Sequence, residues 1–343
     1  MLAGSELRAP SRDKERTMKA IQVCRYGSEE QLRVVELPTP SPEPGQVLVR
    51  IAAAAFNPVD RKFVSGAMRE SFPLQLPFIP GGDFCGTVEA VGRGAEWLER
   101  GDQVFGHSIH GGAYAEFIAV DAEKVALKPR SILCAEAASL ALVGQTALQM
   151  LETAKLRRGQ TVLIHGAGGG VGSVAVQIAH RMGLHVVGTA SCDSFERLRV
   201  YGANQLIDYS GTRFEDCVRN ADAVLDTVGG AIQQRSYRVL KAGGWLISIV
   251  QSPSQREAEK HRVNARMLIA ELSTDRLNAV ARLVDAGEIR PCVASIYPLG
   301  EASRGWRDAF AGHVKGKIVF MNESMYDSHP LASLNESLAL CAD

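Results

Sequence analysis

Thr161-Val162-Leu163-Ile164-His165-Gly166-Ala167-Gly168-Gly169-Gly170-Val171-Gly172-Ser173-Val174-Ala175-Val176-Gln177-Ile178-Ala179 is the stretch that decides the fold. It opens with an apolar run, as in a strand buried on both faces of a parallel sheet. Five glycines follow within seven residues, 166 to 172. Val171, Val174, Ala175 and Ile178 then recur at the spacing of one helix face. Strand, glycine turn and helix in that order build an anion site. Glycine permits the tight turn and the close approach of backbone to ligand. The helix start adds unpaired N–H groups and the positive end of a dipole. Two frames fit the usual dinucleotide spacing: Ala167-x-Gly169-x-x-Gly172, with alanine for the first glycine, and Gly166-x-x-Gly169-x-x-Gly172. In either frame Gly166, Ala167, Gly168, Gly169, Gly170, Val171 and Gly172 are the candidate phosphate-binding residues.

Downstream, strand and helix patterns alternate. His185–Thr189, Ala203–Asp208, Ala223–Thr227 and Trp245–Val250 read as strands. That alternation predicts a doubly wound parallel sheet with helices on both faces. The stretch Gln251–Arg262 reads as a loop, and Ser273–Ala286 as an amphipathic helix through Leu277, Val280, Ala281 and Val284. The run ending Gly312-His313-Val314-Lys315-Gly316-Lys317-Ile318-Val319-Phe320 reads as an edge strand. Upstream the texture differs. Short strands at Met18–Val23, Val47–Ala53, Phe84–Val91, Gln103–Phe105 and Ala113–Val120 are punctuated by Gly86, Gly92, Gly94, Gly101 and Gly106. They predict a compact, partly barrel-like β domain. Ala135–Leu151 is helical in pattern.

The 343 residues suit two domains, each large enough for a core. Lysine plus arginine equals aspartate plus glutamate, at 38 each, so no basic surplus points to nucleic acid or an anionic membrane. Seven scattered cysteines without a CxxC pair fit thiols in a reducing compartment, hence the cytoplasm. No apolar run is long enough to span a bilayer. Residues 1–17 lack the apolar segment of a secretory signal, and Glu6, Asp13 and Glu15 argue against a mitochondrial presequence. Residues 1–17 and 324–343 are read as tails.

Several motifs in order make the chain resemble the medium-chain dehydrogenase/reductase superfamily, within it the zinc-independent NADPH:quinone oxidoreductase-like group. They are Asn57-Pro58-Val59-Asp60, Pro80-Gly81-Gly82-Asp83-Phe84-Cys85-Gly86-Thr87-Val88, Gly144-Gln145-Thr146-Ala147, the glycine turn, Gly202-Ala203 with Ile207-Asp208-Tyr209, and Gly316-Lys317-Ile318-Val319. The resemblance spans about residues 18–322. It implies an α/β fold: a GroES-like β-rich catalytic domain, 18–140 and 273–323, interrupted by a Rossmann cofactor domain, 141–272. It also implies an active site in the cleft between them, and it allows a homodimer.

A catalytic zinc needs about three protein ligands. The zinc-dependent relatives carry a cysteine in the region of Ala55–Asp60 and a Gly-His-Glu at Gly81-Gly82-Asp83. This chain has neither, and His107 and His110 read as ordinary loop histidines. No metal is therefore expected, and the chemistry falls to the cofactor and to hydrogen bonds. The second strand of the cofactor domain ends in Ala190-Ser191, without the acid that binds the ribose 2′-OH of NAD. Ser191, with Arg197, Arg199 and Tyr209 nearby, favours NADPH; Asp193 turned inward would favour NADH instead. The resemblance places Thr146 near the nicotinamide carboxamide and Asn57 and Asp60 at the cleft floor. An asparagine amide donates to a substrate carbonyl and stabilises enolate charge, with Asp60 orienting it or capping backbone. Pro58 stands where some relatives have tyrosine, so protonation falls to water or the substrate itself. The expected reaction is metal-free hydride delivery from NADPH to a quinone or α,β-unsaturated carbonyl. The alternatives are a zinc-free carbonyl reductase acting as an alcohol dehydrogenase, and a nucleotide-binding non-enzymatic protein on the same fold.

Overall fold

The computed structural model describes residues 16–311 and 314–323. Almost all of the two tails, with Cys341, Gly312 and His313, lies outside the described residues. β1 (Thr17–Gln22) and β2 (Arg33–Pro38) pair antiparallel. Then come β3 (Gln46–Ala55), α1 (Pro58–Val64), β4 (Asp83–Val91), β5 (Gln103–His107), β6 (Phe117–Asp121) and β7 (Val125–Leu127). α2 (Cys134–Ala154) leads into β8 (Thr161–His165), α3 (Gly170–Arg181), β9 (His185–Ala190), α4 (Phe195–Val200) and β10 (Gln205–Asp208). α5 (Phe214–Cys217), β11 (Ala221–Asp226), α6 (Gly230–Ser236), β12 (Leu240–Ser248), α7 (Gln255–His261) and β13 (Asn264–Met267) follow. α8 (Thr274–Asp285), β14 (Val293–Pro298), α9 (Ala302–Phe310) and β15 (Lys317–Met321) end the described elements.

β8 to β13 form one six-stranded sheet in the order β10-β9-β8-β11-β12-β13, every pair parallel. The order reverses beside β8, the crevice where doubly wound sheets bind ligands. The β-rich part is a seven-stranded sheet, β14-β15-β3-β4-β5-β7 with β6 also on β3. Here two expectations need correction. β15 is no edge strand: it lies between β14 and β3, and all five of its residues are buried. Its apolar run reads equally well as an interior strand, because partners come from pairing and not from pattern. Gln251–Arg262 is no plain loop either, since Ser254 Oγ accepts from Glu257 N and starts α7.

α2 runs unbroken across residue 140. Its first half, through Ala135, Ala137, Ala138 and Ala141, packs with Ala53, Ala55 and Cys85 of the β-rich sheet. Its second half, through Val143, Ala147 and Met150, packs with Val162, Ile164 and Val174 of the parallel part. Gly144 lets α8 approach, because a β-carbon there would stand 2.9 Å from Val280. Gln145 then ties the start of α8, accepting from Ser273 N at 3.0 Å. Thr146, one residue on, lines the cleft.

Candidate active site

One cleft of about 550 Å³ runs from the glycine turn to the β-rich sheet. One end of it is the start of α3. Gly166 has φ +67° and closes the turn, its carbonyl accepting from Gly169 N at 3.0 Å. A β-carbon on Gly172 would lie 2.2 Å from Gly166 O, so this glycine brings helix and turn together. Gly169 meets only that same oxygen, at 3.3 Å, and faces the cleft with Gly170, Val171 and Gly172. The three roles therefore fall on Gly166, Gly169 and Gly172. Ala167 needs no glycine because Gly188 leaves room for its methyl group. The first turn of α3 holds no acid, and glycine at the N-cap brings no capping side chain. Such a set of backbone donors fits a pyrophosphate.

The opposite wall is a polar knot inside a mostly apolar lining. Lys317, at the head of β15, is 7% exposed. Its Nζ donates to Phe56 O at 2.6 Å, Asn57 Oδ1 at 2.5 Å and Asp83 Oδ2 at 3.3 Å. Asn57 Nδ2 donates to Asp83 Oδ2 at 2.8 Å. Asp83 Oδ1 lies 2.7 Å from His107 Nδ1 and accepts from Leu142 N at 3.0 Å. The ammonium and the imidazole hold the Asp83 carboxyl below its usual range against the cost of burial. Burial in turn pulls Lys317 down from the ordinary lysine value. Asp60 is fully buried: it accepts from Asn57 N at 2.8 Å and Tyr114 Oη at 3.4 Å. Desolvation pushes its carboxyl up to about 7.

Asn57 thus lines the cleft as expected, but Asp83 and Lys317 hold its amide, while Asp60 caps its backbone. Thr146 Oγ1 donates to Leu142 O at 2.8 Å, which leaves its lone pairs to the cleft. His107 is no loop histidine: it ends β5, opposite Asp83 in the register. Gly82 makes the space for it, since a β-carbon there would meet His107 Cε1 at 2.3 Å. An imidazole does occupy this spot, delivered by the neighbouring strand. Asp83 and Lys317 carried no functional reading in the sequence. The signal available was a lysine opening a fully apolar run, which demands a buried carboxylate elsewhere.

Arg197 is not the exposed cation beside Ser191 that the sequence suggests. It is 7% exposed and donates to Gly168 O at 3.1 Å and to Lys315 O at 2.5 Å. It also reaches Cys292 Sγ at 2.9 Å. These bonds, all from the two terminal nitrogens, make the guanidinium a strut between the turn and the C-terminal segment, since a buried cation is held by fixed acceptors. Arg199 is exposed beside Phe195, Ser191 directly follows β9, and Tyr209 is exposed next to Ala190 O. Asp193 is exposed and paired with Lys315 at 3.0 Å. Asp208 Oδ2 accepts from Cys192 Sγ at 2.8 Å, and Oδ1 from Ser210.

Among the described residues no cluster of three or more metal-ligating side chains occurs, and no helix is long and apolar enough to cross a membrane. Residues 43–130 match the alcohol dehydrogenase GroES-like domain, and residues 201–320 the zinc-binding dehydrogenase family. The chain is 32% identical to a chloroplast envelope quinone oxidoreductase homolog of Arabidopsis thaliana, over 88% of this chain and 98% of that one. It is 30% identical to an NADPH-dependent alkenal/one oxidoreductase of the same plant, over 88% of this chain and 79% of that one. The solved quinone oxidoreductase of Coxiella burnetii superposes with a TM-score of 0.82 at 32% identity, covering 89% of this chain and 99% of that one.

Proposed function

The chain belongs to the medium-chain dehydrogenase/reductase superfamily, in its quinone oxidoreductase-like group, and from that premise we propose an NADPH-dependent reductase of quinones and α,β-unsaturated carbonyls. One observation carries the reading: a single apolar cleft is lined at one end by Gly169–Gly172 and at the other by Asn57, His107 and Lys317. We assign cofactor binding to residues 141–272 and substrate handling to 18–140 with 273–323. Bound NADPH supplies the hydride. The backbone donors at the start of α3 hold its pyrophosphate, and Thr146 orients the carboxamide. Asn57 keeps one amide N–H for the substrate oxygen, since its other N–H goes to Asp83. Lys317 spends its three protons on Phe56, Asn57 and Asp83, so its charge fixes the amide plane instead of binding substrate. The fixed donor stabilises negative charge as it develops on that oxygen.

The reading includes chemistry without metal, because both oxygens of Asp83 are already bonded and an ammonium sits against them. It also includes a preference for NADPH. Asp193 is paired with Lys315, and to the 2′-phosphate we assign Lys315 with Arg199, Ser191 and Tyr209. None of the described cysteines is in a disulfide, which supports a cytoplasmic setting. The test is a turnover panel in excess chelator: NADPH with a quinone, an enone and an unconjugated aldehyde. Consumption with the first two and not the third is expected. Turnover of the aldehyde alone would favour a carbonyl reductase, and turnover of none would refute the enzyme.

A further inference from the structure

His107 forms part of the wall of two cavities. One is the substrate cleft, shared with Asn57, Thr146 and Lys317. The other is a pocket of about 10 Å³ shared with Asp60, Phe63, Pro80 and Ser108, room for about one water. Nδ1 is committed to Asp83 at 2.7 Å, so Nε2 is the transferable site. Gly82 packs against the ring and fixes its position. We propose that His107 is the catalytic acid that protonates the reduced substrate, and that Asp60 recharges it through the second cavity. This rests on the reductase reading above.

Hydride brings two electrons to the β-carbon and leaves an enolate. The imidazolium Nε2–H bond breaks, and its proton goes to the α-carbon while the C–C–O unit returns to a carbonyl. His107 is left neutral, with Nδ1–H still on the Asp83 carboxylate. A proton from Asp60, through one water, restores the imidazolium, and solvent reloads Asp60. Four groups face this path: Asp83 from β4, Asp60 from α1, Lys317 from β15 and Tyr114 before β6. Asp60, raised by burial to about 7, holds and releases protons near neutrality.

The test reduces a cyclic enone bearing an α-methyl group with NADPH in D2O and reads the configuration of the deuterated α-carbon. Wild type should give one configuration. His107→Asn, checked against His107→Gln and by thermal melting, should give both, because bulk water is unselective. Its enone turnover should fall about 100-fold or more, the usual weight of a positioned acid. Asp60→Asn should keep the single configuration and lose several-fold in kcat at constant KM. An active wild type with an unaltered product from both His107 variants overturns the acid. An Asp60→Asn with full kcat overturns the recharging route. A wild type inactive on enones and quinones overturns the reductase reading and this proposal together.

Discussion

Lys317 is an ammonium at the head of a fully buried strand, and it stays there because Asp83 and two other oxygens surround it. A buried charge is tolerated when paired and costly when stranded. Asp60 is the contrary case. It has no cation within bonding distance, and burial raises it from 3.8 to about 7. The folded protein therefore holds a proton that the unfolded chain gives up above about pH 4. The stability tied to Asp60 is full below about pH 4 and is lost as the pH rises through about 7. Asp60→Asn keeps the acceptor for Asn57 N but has nothing to ionise. Between pH 4 and 8 it should gain on wild type by on the order of 4 kcal/mol at most. Urea unfolding of both proteins across that range measures the gain; a constant difference would contradict it.

The turn before α3 is the element to which cofactor binding is assigned, and its glycines do different work. On Gly172 a methyl group would meet Gly166 O at 2.2 Å and Ala167 Cα at 2.8 Å. Both are backbone atoms, so neither swings aside. Gly172→Ala should cost about 1–3 kcal/mol, lower the melting temperature and abolish NADPH binding. Gly169 is open apart from Gly166 O at 3.3 Å. Gly169→Asp should melt close to wild type and still fail to bind, since it sets a carboxylate where phosphate belongs. Melting curves with NADPH fluorescence titrations separate the two. Unchanged affinity in a folded Gly169→Asp would remove the turn from the cofactor site.

Across the molecule, the C-terminal segment closes the gap between the two sheets. Lys317 reaches Asn57 in the cleft wall, while Lys315 O receives the Arg197 strut and Lys315 Nζ pairs with Asp193. Arg197→Ala should loosen the turn and the segment together, and so weaken NADPH and NADH alike. Lys315→Ala should act on the 2′-phosphate alone. A charge-assisted bond of about 1.5–3 kcal/mol corresponds to about ten- to a hundredfold in affinity. Lys315→Ala should lose that much for NADPH and little for NADH. Titration of each variant with both cofactors decides it; selective loss of NADPH in Arg197→Ala would reverse the two assignments.

The sequence by itself determined what is local. A period of two or 3.6 residues, a glycine cluster and a cap are written in neighbouring residues, so the parallel sheet, the turn and α3 were legible. The proposed phosphate site was legible for the same reason: the residues assigned to it, 169–172, are consecutive in the chain. Only the tertiary structure decided the polar wall at the other end of the cleft. Asn57 and Lys317 stand 260 residues apart, and Asp83 and His107 stand 24 apart. They meet because β15 pairs with β3, and β4 with β3 and β5. Strand order and register are set by which faces bury together, and no periodicity in a single segment records them. The same limit hid Arg197, whose neighbours in sequence mark a helix and whose acceptors lie in the glycine turn and the C-terminal segment.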